Sequence, residues 1–201
     1  MGNAGAGFFI HTENLDENSI VYSFGVGDDI SFDLTLINEF DCNVYAFDPT
    51  PKTIQLFKNK TPDSKFHFYE FGIFNKDGII NFFLPRNPDY VSCATYNRWN
   101  YPVTNDRVID VPVKTLSNIL TELGHLKIDL LKIDIEGTEY LIIDDIIGLN
   151  VPVTQIAIEF HHRFRGMGVK KTNIAIRKLR EHGYKLIAVS DSFEEFTFLK
   201  M

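Results

Sequence analysis

The chain has 201 residues, 44% hydrophobic and 23% charged, a globular balance with enough apolar material for the core of one domain. Its formal net charge of −7 argues against nucleic acid as a partner of the whole surface, because phosphate neutralisation needs a positive face. No stretch approaches the roughly 18 apolar residues of a membrane span. Cys42 and Cys93 form neither a disulfide framework nor a zinc spacing, as in a reduced cytoplasmic protein.

Residues 1–19 open like an acylation signal but place Ala6 where Ser or Thr is wanted, so this segment is read as a flexible leader without an export signal. From Ile20 onward short apolar runs alternate with helical periods, the pattern of a βαβ succession. The first strand is Ile20–Phe24, and the helix after it runs from an Asp29 N-cap to Phe40. Val44–Phe47 is the next strand, followed by a helix capped by Thr50 with Pro51 as its first residue. Lys65–Glu70 reads as a third strand. Within 71–84, Asn75 to Gly78 is a turn signal between two extended arms.

Residues 85–106 form a long irregular loop carrying Tyr90, Tyr96, Trp99 and Tyr101, either a substrate lid or an ordered surface loop. Then come an extended run at 108–113, a helix at 115–124, a strand at 128–135 and a helix at 138–147. A strand at 154–160, a basic loop and a helix at 172–182 follow. Strands at 185–189 and 193–199 close the chain as an antiparallel hairpin at one sheet edge. The whole is one domain. The 18 phenylalanines are read mainly as core filling.

Gly25 and Gly27 follow a strand and open a helix, where backbone approaches a ligand closely and free N–H groups are offered. A pyrophosphate fingerprint wants a third glycine at position 30, which is Ile30, so a phosphate-free ligand suits the loop better. Asp48 ends the second strand, 21 positions after Gly27, a distance that suits hydrogen bonds to ribose hydroxyls. The alternative is a turn-capping Asp before Pro49. Phe71 and Gly72 fall where an adenine lies across adjacent strand ends.

Charge appears inside the strand at 128–135: Lys132, Asp134 and Glu136 share one face, and such charges demand partners or a cleft. Gln155, Ala157, Glu159 and His161 share a face of the next strand. The expected contacts are Lys132 with Glu159 and Asp134 with His161. His161 is the first candidate general base, oriented by Asp134 or Glu159, since its free pKa lies near neutrality. His162 points the other way, which makes the pair a poor metal chelate. The site is read as metal-free, with ligation by Asp134, Glu136 and His161 as a lesser alternative.

At these residues the chain resembles the FkbM family of S-adenosylmethionine-dependent methyltransferases. The matching segments are residues 21–29, 46–51, 131–139 and 158–161, of which Lys132-Ile133-Asp134-Ile135-Glu136-Gly137 is the most specific. The resemblance implies a doubly wound, mostly parallel seven-stranded α/β sheet with an antiparallel last strand, and O-methylation of a sugar, glycan precursor or natural product. It implies cofactor contacts from Gly25, Gly27, Asp48 and Gly72, with Asp134 near the reacting end. Ser23 stands where many methyltransferases carry an acid, so the methionine amino group falls to Asp28, Asp134 or backbone carbonyls.

Glu136, Tyr96, Trp99 and Arg163 are the expected acceptor contacts. Arg163, Arg165, Lys170 and Lys171 form either an anion grip or a solvated basic loop. Two other readings stay open: a nicotinamide-dependent oxidoreductase using the same glycine loop, and a non-catalytic binding module.

Overall fold

The computed structural model describes residues 1–3, 7–58, 62–85, 87, 93–96 and 107–201. Its elements in chain order are β1 (Ile20–Phe24), α1 (Ser31–Phe40), β2 (Asn43–Phe47), α2 (Pro51–Phe57) and β3 (Phe66–Tyr69). Next come β4 (Gly72–Ile73), β5 (Gly78–Phe83), β6 (Val108–Lys114), α3 (Leu116–Leu123) and β7 (Ile128–Ile133). The chain closes with α4 (Glu139–Ile147), β8 (Val153–Glu159), α5 (Val169–Glu181), β9 (Tyr184–Val189) and β10 (Glu195–Lys200).

The main sheet has seven strands in the order β3-β2-β1-β7-β8-β10-β9. The pairs from β3 to β8 are parallel, and β10 runs antiparallel to both its neighbours. Parallel strands covered on both faces must be apolar on both, and in β1 Val21, Tyr22 and Phe24 are all fully buried. Helices α3, α4 and α5 pack on one face against Tyr22, Leu131, Ile133 and Ile156. Helix α1 packs on the other, against Val21, Val44 and Leu130. The phenylalanines do fill core: Phe24 and Phe47 stack at 4.5 Å between β1 and β2, and Phe47 stacks on Tyr69 of β3 at 5.1 Å. Among the described residues no helix is long and apolar enough to cross a membrane.

Local chemistry places several helix ends. Thr115 caps α3 by accepting from the Asn118 N–H, and Gly124 at φ +69° closes it. Pro51 opens α2 as expected. Helix α1 is counted from Ser31, yet Asp29 does accept the Ser31 N–H at 2.9 Å.

Three expectations change. The arms around Asn75–Gly78 do not pair with each other: β4 and β5 flank β6 in a separate three-stranded sheet, β4 parallel and β5 antiparallel to it. Residues 7–19 are no flexible leader. Phe8 is 3% exposed and packs edge-on against Phe32 of α1, while Gln155 of β8 holds the His11 backbone through both its N–H (2.6 Å) and its carbonyl (3.1 Å). Strand β7 ends at Ile133, so Asp134 and Glu136 lie in the turn beyond it.

Candidate active site

The carboxyl ends of β1, β2, β7 and β8 surround a cavity of about 320 Å³, walled by Gly27, Asp48, Gly72, Asp134, Glu159 and His161 among others. Its size lies in the range of small-molecule sites, about 300–1,000 Å³. Crevices at this edge of an open parallel sheet are where such folds bind ligands.

At one end of the cavity, the β1–α1 turn is held by β2. Gly25 has φ +73°, and a Cβ there would lie 1.7 Å from the Asp134 carbonyl oxygen. The glycine is therefore demanded by the neighbouring β7 turn, whereas the sequence suggested approach of a ligand. Gly27, at φ +56°, donates its N–H to Asp48 Oδ2 at 3.0 Å. Asp48 Oδ1 accepts from the N–H and hydroxyl of Thr50 at 2.8 and 2.6 Å. Burial pushes the Asp48 carboxyl pKa up, against the bonds from Thr50 and Gly27 and the charge of Lys132. Asp48 thus ties the glycine turn to the end of β2 while facing the cavity.

Gly72 lines the cavity beside Asp48, with Pro49 Cγ 3.1 Å from where its Cβ would stand. Phe71 turns away from it. Its ring packs on Phe47 at 5.4 Å and lies 4.5 Å below the Lys114 ammonium, while Ile73 takes the wall position. Asp28 sits exposed at the rim.

At the other end four acids surround one imidazole. His161 is buried, and its Nδ1 hydrogen-bonds Glu139 Oε1. Its Nε2 faces Asp134 Oδ1 at 3.6 Å, Glu136 Oε2 at 3.5 Å and Glu159 Oε1 at 3.5 Å. Burial alone would lower the His161 pKa, but the Glu139 bond and the charges of Glu139, Asp134 and Glu136 outweigh it and push it up to about 10. Glu159 is pushed up to about 8 by burial and the Asp134 charge, against the pull of His161. Asp134 is likewise raised by burial, opposed by Lys132 and His161.

Asp134 does approach His161, as expected, but the other partners differ. Lys132 does not pair with Glu159, because the register sets Ala157 beside it, and its ammonium is taken by the Gly25 carbonyl at 2.8 Å, with Asp134 at 3.9 Å. Glu139, not Asp134 or Glu159, makes the hydrogen bond that orients His161. Glu139 is fully buried at the first turn of α4 and also accepts the Gly137 N–H at 3.1 Å. Strand parity found Asp134, Glu159 and His161 but cannot reach across the Glu136 (φ +56°) and Gly137 (φ +96°) turn to Glu139. The sequence also missed Asp33, 2% exposed in α1, which lines the cavity and whose Oδ1 has no hydrogen-bond partner among the described residues.

Of the acceptor contacts, Glu136 lines the cavity and Tyr96 packs over the Gly137 turn, 3.0 Å from where a Cβ would stand. Arg163 is drawn off to Glu194 Oε2 at 3.1 Å and to the Ser192 carbonyl, outside the cavity wall. Arg165, Lys170 and Lys171 are exposed. Trp99, Tyr90 and Tyr101, with most of the expected lid, lie outside the described residues.

The family described as "Methyltransferase FkbM domain" matches residues 19–186. The curated "Probable methyltransferase-like protein 24" of Homo sapiens is 27% identical over 159 residues, covering 78% of this chain and 36% of that protein. The Rattus norvegicus protein of the same name is 26% identical with the same coverage. The chain thus spans about a third of the length of these relatives. Among solved structures, Aeropyrum pernix fibrillarin in complex with natively bound S-adenosyl-L-methionine aligns with TM-score 0.46 and 10% identity, covering 94% of this chain and 69% of that one. A precorrin-6y C5,15-methyltransferase from Geobacter metallireducens aligns with TM-score 0.41 and 11% identity, covering 94% and 83%.

Proposed function

Because the chain belongs to the FkbM methyltransferase domain family, which is S-adenosylmethionine-dependent, we propose that it methylates a hydroxyl of a sugar, glycan precursor or natural product. One observation carries this reading. A single cavity runs from the Gly27–Asp48 pair to the Asp134–Glu159–His161 group, so a nucleoside end and a proton-handling end share one ligand space.

The residues present fit the donor. The Asp48 carboxylate, beside Gly27, supports a ribose contact, and Gly72 with Ile73 lines the wall on which adenine would lie. Asp33, buried with an unpartnered oxygen in the same wall, supplies near the β1 turn the acid that Ser23 lacks; its role is to receive the methionine ammonium. When bound, the donor would supply the acceptor oxygen with a methyl group activated on a sulfonium sulfur.

The protein's remaining work is to align the acceptor and take its proton. His161, with a pKa near 10, holds its proton at neutral pH and serves as the fixed cation among the acids. Glu159, pushed up only to about 8, gives up its proton much nearer neutrality and is the better-matched proton acceptor. Glu136 and Tyr96 flank the acceptor's side.

The test is calorimetric titration with S-adenosylhomocysteine and with NAD. The thioether binds and NAD does not, and Asp48→Ala weakens binding about tenfold, the worth of a hydrogen bond to a charged group. NAD binding without thioether binding would overturn the methyltransferase reading, and full affinity in Asp48→Ala would remove the ribose contact. An acceptor screen over sugars, glycolipid precursors and polyketides, read by S-adenosylhomocysteine release, then compares Glu159→Gln with His161→Ala. Undiminished turnover in Glu159→Gln would reject Glu159 as the proton acceptor.

A further inference from the structure

The group at the acceptor end has the form of a cation site. His161 is 5% exposed, and its Nδ1 is locked by Glu139, which is 0% exposed. That lock aims Nε2 at three carboxylates from the β7 turn and the end of β8, and among the described residues Nε2 makes no hydrogen bond. The N–O separations of 3.5–3.6 Å are too long for good hydrogen bonds. They are close to the edge of a metal polyhedron, about 3.0–3.5 Å when each donor lies about 2.0–2.2 Å from the ion. Donor atoms of Asp134, Glu159 and His161 all lie within 4.8 Å of one another.

A buried carboxylate holding the far nitrogen is also how metal-bound imidazoles are oriented. Four acids crowd one histidine, and the nearest further cation is Lys132, 3.9 Å from Asp134. All the donor residues line the cavity, which gives an ion an entry path.

We propose that Asp134, Glu159 and His161, with Glu136 beside them, bind one divalent first-row transition-metal cation, such as Mn²⁺, at the acceptor end of the cavity. An imidazole among the carboxylates suits such ions better than calcium, which takes oxygen donors. The ion takes the place of the Nε2 proton, and with it the cationic role that His161 has in the ion-free protein. Resting on the methyl-transfer reading, its role is to hold and acidify the acceptor hydroxyl. Glu159 binds through one oxygen and keeps the other for the proton.

The experiment titrates chelator-treated full-length protein with MnCl₂, following loss of the free-ion electron paramagnetic resonance signal. One saturable site is expected. His161→Asn and Glu159→Gln should each weaken it about tenfold or more, while Asp144→Asn, a surface acid paired with Lys178, leaves it unchanged. Circular dichroism checks folding, and if His161→Asn does not fold, Glu159→Gln alone decides. No saturable Mn²⁺ site, or one equally tight in the folded variants, overturns the proposal. S-adenosylhomocysteine affinity is measured in parallel. Its persistence without a cation site rejects the site alone, and its absence beside a working cation site rejects the cofactor reading alone.

Discussion

Asp33 shows how a residue's surroundings rewrite its chemistry. In sequence it is one polar position in a helix. In the structure it is 2% exposed, and burial raises its pKa against the charge of Lys132. A carboxyl whose folded pKa lies above its unfolded value destabilises the fold once the unfolded chain begins to ionise. Below the unfolded value, about 4, the penalty vanishes, and it grows as pH rises from there through the folded value. Asp33→Asn should therefore gain stability on the parent as pH rises above about 4, with the gain vanishing as pH falls back to that value. Urea unfolding across that range checks it, and a pH-independent difference would contradict it. The same variant should lose S-adenosylhomocysteine affinity, so stability and binding move in opposite directions. Glu139 is the opposite case. Glu139→Ala strands the charged His161 donor and should cost about 1–3 kcal/mol, read as a lower thermal midpoint. An unchanged midpoint would mean that the bond does not support the fold.

Among the elements, the β1–α1 turn carries the most constraint. Gly25 combines φ +73° with a Cβ position 1.7 Å from the Asp134 carbonyl, backbone that cannot move without separating β1 from β7. Gly25→Ala should cost well over the about 1–2 kcal/mol of left-handed strain alone, and a chemical-denaturation midpoint measures it. A small loss would mean the two turns part easily. Strands and helices were legible here because burial on both faces and the 3.6-residue period leave direct marks, as in Val21–Phe24 and Leu116–Leu120. Pairing was less so. The arms around Asn75–Gly78 look like a hairpin locally, yet β6, beginning 30 residues after Gly78, takes both.

Across the whole molecule, the N-terminal segment completes the core. Phe8 lies against Phe32, and Lys132 stands 5.8 Å above its ring, so this segment closes the face of the sheet behind the cavity. Phe8→Ala should cost about 3–5 kcal/mol, as for buried aromatic truncations. Calorimetry of the variant checks this, and a loss near zero would mean the segment only rests on the sheet.

The sequence by itself determined the strand and helix succession, the glycine turn, Asp48, and the acids and histidine at the ends of two strands. Each depends on residue type and short spacing along one chain segment. Only the tertiary structure decided that Lys132 serves the Gly25 carbonyl, that Glu139 orients His161, and that Asp33 faces the cavity. Those partners come from other elements, and burial sets their charge states, so no local pattern carries them.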